Sequence, residues 1–360
     1  MSQTNTTSPP VSKWVRRWLI AGIIMIFFQI ILGGITRITG SGLSITRWDI
    51  VSGTLPPMSE AAWHEAFDLY KQTPQYHKIN YDMPLQEFKF IFFWEYIHRL
   101  WARTMGFVFL FPLLYFVSKR MIPKWLGKRL VVVFLLAALV ASFGWIMVAS
   151  GLVNRPLVNA YKLSIHLGLA FLLLGYLYWT YLMAGDVRRV PFHTKNRKWI
   201  KALSGLVGLQ IILGGIMSGM KAGMYYPSWP KMNGDWIPDV LTHTAQWTAE
   251  HIIQYDAYRL MPALIQFLHR GTGYLIFVAV VSLLIITLRS GNATEKLSVT
   301  LLFMLVFLQL LLGIYTVINC LGEIPLWLGV MHQITAILVF LLTFYLLYSS
   351  KPMKIIQKGV

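Results

Sequence analysis

Eight continuous apolar runs divide the chain, at about residues 18–38, 90–118, 129–150, 160–184, 200–220, 261–288, 297–319 and 326–348. A helix needs about 20 consecutive apolar residues to cross the hydrocarbon of a bilayer, and each run is long enough. The runs do not alternate apolar and polar positions, which excludes the strands of a transmembrane β-barrel. The pattern predicts an all-α polytopic membrane protein with eight transmembrane helices. Two polar stretches between runs are long, 39–89 and 221–260. The first carries Trp48, Trp63, Tyr70, Tyr76 and Tyr81, the second Tyr225, Tyr226, Trp229, Trp236 and Trp247. Trp and Tyr favour the membrane–water boundary, so both stretches are expected to be folded caps rather than linkers.

Composition supports the same class. Of the 360 residues 56% are hydrophobic and only 13% charged, which excludes a disordered chain and an ordinary soluble domain. The net charge of +18 would suggest nucleic acid in a soluble protein. Here Lys and Arg crowd into short segments between runs, so the expected partner is the lipid bilayer and no nucleic acid is expected. Lys13, Arg16 and Arg17 precede the first run, and Lys119, Arg120, Lys124, Lys128 and Arg129 join the second to the third. Arg188, Arg189, Lys195, Arg197, Lys198 and Lys201 join the fourth to the fifth, Arg289 and Lys296 the sixth to the seventh. Lys351, Lys354 and Lys358 follow the eighth. The opposite short loops hold only Arg155 and Lys162. Positive charge marks the cytoplasmic side, and long loops escape the rule. Both termini are therefore expected in the cytoplasm and both long loops outside. The N-terminal segment shows neither a signal-peptide nor a transit-peptide pattern, so a bacterial cell inner membrane is the simplest expected location. The single cysteine, Cys320, allows no intramolecular disulfide.

The two halves repeat. Gln29-Ile-Ile-Leu-Gly-Gly-Ile35 recurs as Gln210-Ile-Ile-Leu-Gly-Gly-Ile216, Ile97-His98-Arg99 matches Leu268-His269-Arg270, and His166 matches His332. Four spans per half is an even number, so both copies keep one orientation, as two parallel-repeat four-helix bundles. The expected halves are 1–189, with the outer loop 39–89, and 190–360, with the outer loop 221–260.

Four of the nine histidines lie in the runs: His98, His166, His269 and His332. Counted to the first charge at the cytoplasmic end of its span, Lys119, Asp186, Arg289 or Lys351, each lies about 20 residues away. At 1.5 Å per residue all four lie roughly 30 Å above the inner boundary, near the outer edge of the hydrocarbon. A lone histidine near a helix end is more often satisfied by a hydrogen bond than a ligand. Four at one depth, on the second and fourth helix of each half, suit the axial ligation of haem iron, His98 with His166 and His269 with His332. Intramembrane ionisable groups are costly and point to function. Zinc fits less well, because no cysteine or carboxylate cluster accompanies them. Arg99, Arg103, Lys162 and Arg270 are nearby candidates to pair with propionates. His64, His77, His193, His243 and His251 read as surface residues. The Gly33-Gly34 and Gly214-Gly215 pairs read first as close helix packing.

The repeats differ at Glu95, which stands three residues before His98 where the second half has Gln266. A carboxylate there is a candidate for proton transfer. Its bland alternative is a salt bridge to Arg99, one turn on.

These residues together are recognisable. The stretches GGITRITGSGLSITRWDIVSGTLPP, FKFIFFWEYIHRLWARTMG, GWIMVASGLV, LSIHLGLA, QFLHRGTGY and MHQITA, in that order and spacing, resemble the haem A synthase family over nearly the whole chain. The resemblance implies an oxidoreductase acting on a CH group. It would turn a ring methyl of haem O into a formyl group by successive hydroxylations, giving haem A for cytochrome oxidase. It further implies haem b as cofactor, held by His269 and His332 in the second half. Haem O, the substrate, would meet His98 and His166 in the first, with Glu95 as the family's acidic residue one turn earlier. The haem sites would face the periplasm. Some members carry a cysteine pair in the first outer loop, which this chain lacks, as in the proteobacterial and mitochondrial branch. A haem O synthase and an electron donor are the partners that pathway logic suggests, and a homo-oligomer is compatible. The chemistry needs a redox cofactor, because side chains have no oxidant for a methyl C–H. The main competing reading is a dihaem, cytochrome b-like electron-transfer protein. A haem exporter or chaperone and a proton-coupled transporter explain less.

Overall fold

A computed structural model describes residues 11–47, 54–152, 156–185 and 194–350. Trp48, Arg155, Asp186, Arg188, Arg189, His193, Lys351, Lys354 and Lys358 lie outside the described residues. In chain order the helices are α1 (Lys13–Ile38), α2 (Glu60–Lys71), α3 (Pro74–Lys78), α4 (Leu85–Ser118), α5 (Lys124–Gly151) and α6 (Ala160–Ala184). They continue with α7 (Thr194–Gly219), α8 (Asp239–Thr242), α9 (Ala249–Ile253), α10 (Leu260–Ser290), α11 (Ala293–Ile318) and α12 (Leu326–Ser349). Eight of them, α1, α4, α5, α6, α7, α10, α11 and α12, are long and apolar enough to cross a membrane. They coincide with the eight apolar runs, and no strand occurs among the described residues.

Local chemistry sets the helix ends. Pro84, Pro123 and Pro325 stand just before α4, α5 and α12, where a missing N–H is harmless. Asn159 accepts from the backbone N–H groups of Tyr161 and Lys162 at the start of α6. Asn292 and Glu295 cap each other's backbone at the start of α11, a reciprocal capping box.

The helices form two layers. α1, α6, α7 and α12 pack against one another at the centre, α6 along α7 and α1 along α12. α4 leans on α1, α5 on α6, α10 on α7, and α11 on both α10 and α12. The central joint depends on small residues: a Cβ on Gly219 of α7 would stand 2.5 Å from the Cα of Ala160 on α6, so the backbones approach as closely as glycine allows. Several hydrogen bonds cross between the halves. Arg37 donates to the carbonyls of Ser218 and Gly219 at 2.8 Å. Gln333 donates to Ile30 O at 2.8 Å.

The first long loop is a folded cap, as expected. Phe67 and Tyr70 of α2 pack on Phe88, Ile91 and Phe92 of α4, with Trp63 and Tyr76 against them. Burial pushes the Tyr70 hydroxyl up to about 12. The second loop is anchored by fewer buried groups. Tyr255 is buried and its hydroxyl accepts from Ala160 N at 2.8 Å. Trp229, Trp236 and Trp247 are exposed, as residues of a lipid–water boundary are.

Pro112 interrupts α4 from inside. It has no N–H to give to the carbonyl of Val108, one turn back. The indole of Trp18 takes that carbonyl instead, at 2.8 Å, so no backbone group is stranded in the membrane. Trp18→Phe should therefore destabilise the protein by about 1–3 kcal/mol for the orphaned carbonyl, seen as a lower melting temperature. Adding Pro112→Ala supplies the missing N–H and should recover part of that loss. Thermal denaturation in detergent of the single and double variants checks this coupling; simple additivity would refute it.

Candidate functional site

His98 sits on α4, His166 on α6, His269 on α10 and His332 on α12, and all four line one cavity of about 1380 Å³. A single small-molecule site usually spans about 300–1,000 Å³, so this space is larger than one such ligand needs. Apolar side chains make most of its wall, and Glu95, Arg99, Arg103 and Arg270 are among its polar members. Lys162, expected nearby, does not line it. His64, His77 and His243 are exposed, and His251 binds its own loop through Gln246 O at 2.7 Å. The surface reading therefore suits these four.

Each cavity histidine lies against a neighbouring helix at two positions one turn apart. A glycine lets the ring approach, and the residue four before it supplies the polar contact. For His98 these are Gly33 and Gln29 on α1: a Cβ on Gly33 would be 3.1 Å from Cε1 of the ring, and Gln29 Nε2 is 3.2 Å from His98 Nε2. For His269 they are Gly214 and Gln210 on α7, at 3.3 Å and 3.4 Å. For His332 they are Gly313 and Gln309 on α11, at 3.0 Å and 3.1 Å. For His166 the glycine is Gly144 on α5, at 3.0 Å, but the polar contact comes from the backbone: His166 Nδ1 donates to the carbonyl of Val140 at 3.0 Å.

The first glycine of each Gly-Gly pair thus faces an imidazole. The second serves packing, Gly34 against Gln333 and Gly215 against Ser164. Composition pointed to the packing role; the ring contact emerges only with the helices assembled. Gln29, Gln210 and Gln309 were not singled out as site residues. Their signal is a polar residue exactly one turn before a glycine inside an apolar run.

A haem iron fits the second pair on two observations. The ring centroids of His269 and His332 are 6.4 Å apart, at 64°. Metal–imidazole nitrogen bonds of about 2.0–2.1 Å, the zinc value, put a metal between two rings whose centres are roughly 6 Å apart. Both Nδ1 atoms are also buried without a protein partner, and a buried polar atom needs one. His166 shows a ligand's usual preparation: its Nδ1–H is fixed by a carbonyl, which leaves the lone pair on Nε2. Among the described residues no group of three or more His, Cys, Asp or Glu gathers as a metal site made wholly of protein, so ligation in pairs is what the donors offer.

Glu95 makes the salt bridge that was its bland alternative, to Arg99 at 2.5 Å. Its other oxygen accepts from Ser44 Oγ at 2.7 Å and from the backbone N–H of Ile45 at 2.8 Å. Arg99 also reaches Ile45 O, at 3.1 Å. The second half builds the same device without the carboxylate: Gln266 donates to Tyr226 O at 3.0 Å, and Arg270 donates to Tyr226 O and Ser228 O at 3.0 Å and 2.7 Å. Both pairs hold a loop down over the cavity. Arg37, which sequence reasoning missed, lines the cavity as well; its signal was only a cation closing an apolar run.

The profile of the COX15-CtaA family, described as a cytochrome oxidase assembly protein, matches residues 16–344. Among curated relatives, the protein named heme A synthase from Nitrosospira multiformis is 37% identical over 338 residues, 92% of this chain and 91% of its own length. The heme A synthase of Parvibaculum lavamentivorans is 39% identical over 327 residues, 90% of each chain. That of Paracoccus denitrificans is 37% identical over 335 residues, 91% of this chain and 85% of its own. With one family profile spanning nearly all of its length and relatives this similar along both chains, the protein belongs to the COX15-CtaA family of cytochrome oxidase assembly proteins.

Proposed function

We propose that the chain is a haem A synthase, a multi-pass membrane oxidoreductase that converts a ring methyl of haem O to a formyl group. The observation that carries this reading is the set of four imidazoles on one apolar cavity, each seated by a glycine and a polar contact one turn apart. His269 and His332 hold a cofactor haem b, and His98 and His166 address haem O. The cofactor supplies the redox chemistry that side chains lack. The chain does the rest. Its apolar wall takes up the porphyrin and keeps water from it, and Arg99, Arg103 and Arg270 offer positive charge for propionates. The glutamines fix the planes of His98, His269 and His332, as second-shell groups do for metal-binding imidazoles. Glu95, tied to Arg99 and the turn at Ser44–Ile45, holds the roof over His98 and is the candidate acid–base group of the reaction.

The two halves are proposed as parallel repeats, 1–189 and 190–360, with both termini cytoplasmic and the haem pairs toward the periplasmic side of a bacterial inner membrane. The matching histidine seats on α1 and α7, and on α5 and α11, support that reading, as does the distribution of Lys and Arg. A haem O synthase and an electron donor are its proposed partners. A dihaem electron-transfer protein would use the same four histidines. Two departures from symmetry favour the synthase: Glu95 against Gln266, and Val140 against Gln309.

Pigment extraction from the purified protein, with reduced haemochrome spectra and mass analysis, tests the reading. Haem b together with haem O, haem A or a partly oxidised haem O is expected. Two equivalents of haem b alone, from cells making haem O, would favour electron transfer.

Replacing His269 or His332 by Ala should abolish the stable haem b spectrum while the protein remains in the membrane fraction. Full retention in both variants would sink the cofactor assignment. Glu95→Gln should keep haem b and lower haem A formation at least tenfold; a normal product yield would remove Glu95 from the reaction.

A further inference from the structure

The halves differ in how their outer helices meet. In the second half α10 packs along α11, and aromatic rings fill the seam. Phe277 of α10 lies 6.2 Å from Phe303 and 6.4 Å from Phe307 of α11, centroid to centroid, and the latter two stack on each other. In the first half the corresponding helices, α4 and α5, hardly touch. Only 6% of the most apolar stretch of each is buried, against 28% for α10 and 17% for α11.

The sequence explains the gap. Superposing His98 on His269 brings Gly106 to the place of Phe277. Superposing Gly144 on Gly313 brings Ala138 to the place of Phe307. Two of the three rings that close one seam are missing from the other, and Phe134 stands at the place of Phe303. A Cβ on Gly106 would meet nothing within 4 Å. Gly106 and Ala138 both line the cavity that holds His98 and His166, together with Phe107, Leu110, Phe134 and Trp145. These last four are 44–57% exposed on the outer surface of the bundle. The cavity is therefore open sideways between α4 and α5, with Ala138 halfway along the 28 residues of α5.

We infer that the slit between α4 and α5 is a lateral portal, through which the porphyrin substrate enters from the bilayer and in which its long apolar tail lies. This rests on the reading of the first half as the haem O site. An apolar tail favours lipid over water, so a sideways route keeps it in an apolar medium throughout. The route from above is roofed: Leu43 fits against Gly151, where a Cβ would be 2.9 Å from its side chain. Gln75 also ties the cap to Gly40 O at 2.8 Å. The second half has its seam filled, as suits a haem that stays.

The test rebuilds the second half's closure in the first. The Gly106→Phe/Ala138→Phe variant and the wild type are purified from cells that make haem O, and their haems are extracted and counted per chain. Haem b should match the wild type, and haem O plus its oxidised products should fall at least tenfold. Haem O retention within twofold of the wild type, at full haem b, would overturn the portal, whether the slit then holds a phospholipid chain or a second copy. Where the double variant loses haem b through misfolding, Ala138→Leu alone decides: at least a threefold loss of haem O supports the portal, and unchanged retention refutes it. A wild-type protein carrying two haem b and never haem O would instead refute the synthase reading, and the portal with it.

Discussion

A bilayer offers no water to a polar group, so each hydrogen-bonding atom within the spans must find its partner in the protein, one turn back on its own helix as Thr343 does at Val339 O, or on a neighbouring helix. Most of the site's architecture follows from meeting that demand for four imidazoles. An imidazole on a helix is bulky, and a neighbouring helix reaches its nitrogens only where its own surface is hollow. Glycine makes the hollow, and a glutamine or a carbonyl one turn earlier reaches the ring. The helices that carry these seats, α1, α5, α7 and α11, are therefore as much part of the site as those that carry the histidines. The same demand explains the use of the Trp18 indole for the carbonyl that Pro112 leaves free, and the arginines spent on loop carbonyls rather than on water.

The halves share this plan and depart from it where their tasks would differ. One seam is closed by three phenylalanines, and the other has glycine and alanine at two of those places. One roof is held by a carboxylate–guanidinium pair, the other by an amide and a guanidinium. One imidazole of the four is oriented by a main-chain carbonyl instead of a glutamine. Each difference lies in the first half, around His98 and His166.

Much of this was legible in the sequence, because hydropathy reports the lipid environment directly. All eight spans appear where the apolar runs lie. The starts of α6 and α12 coincide with their runs, whereas α4 starts five residues and α7 six residues before theirs, because a helix continues past the hydrocarbon on polar residues that hydropathy ignores. The four histidines were legible because the repeat and the matched depth singled them out. The glutamines were not, although two of them open the repeated segment itself. Their role depends on a partner far along the chain, Gln29 on His98 at 69 residues and Gln210 on His269 at 59. The slit between α4 and α5 is a contact that does not form, which no local pattern announces. It becomes readable only when Gly106 is set against Phe277.

The hydroxyl of Tyr255 receives the first free N–H of α6, and this has a consequence for how the protein is made. Tyr255 belongs to the loop before α10, 95 positions further along the chain. The guanidinium of Arg37 waits for carbonyls at Ser218 and Gly219, and the carbonyl of Ile30 for the amide of Gln333. During synthesis, which proceeds from the N-terminus, the first four spans enter the membrane with all three ends still loose. The part of the bundle made first is therefore completed only when the last spans are in place.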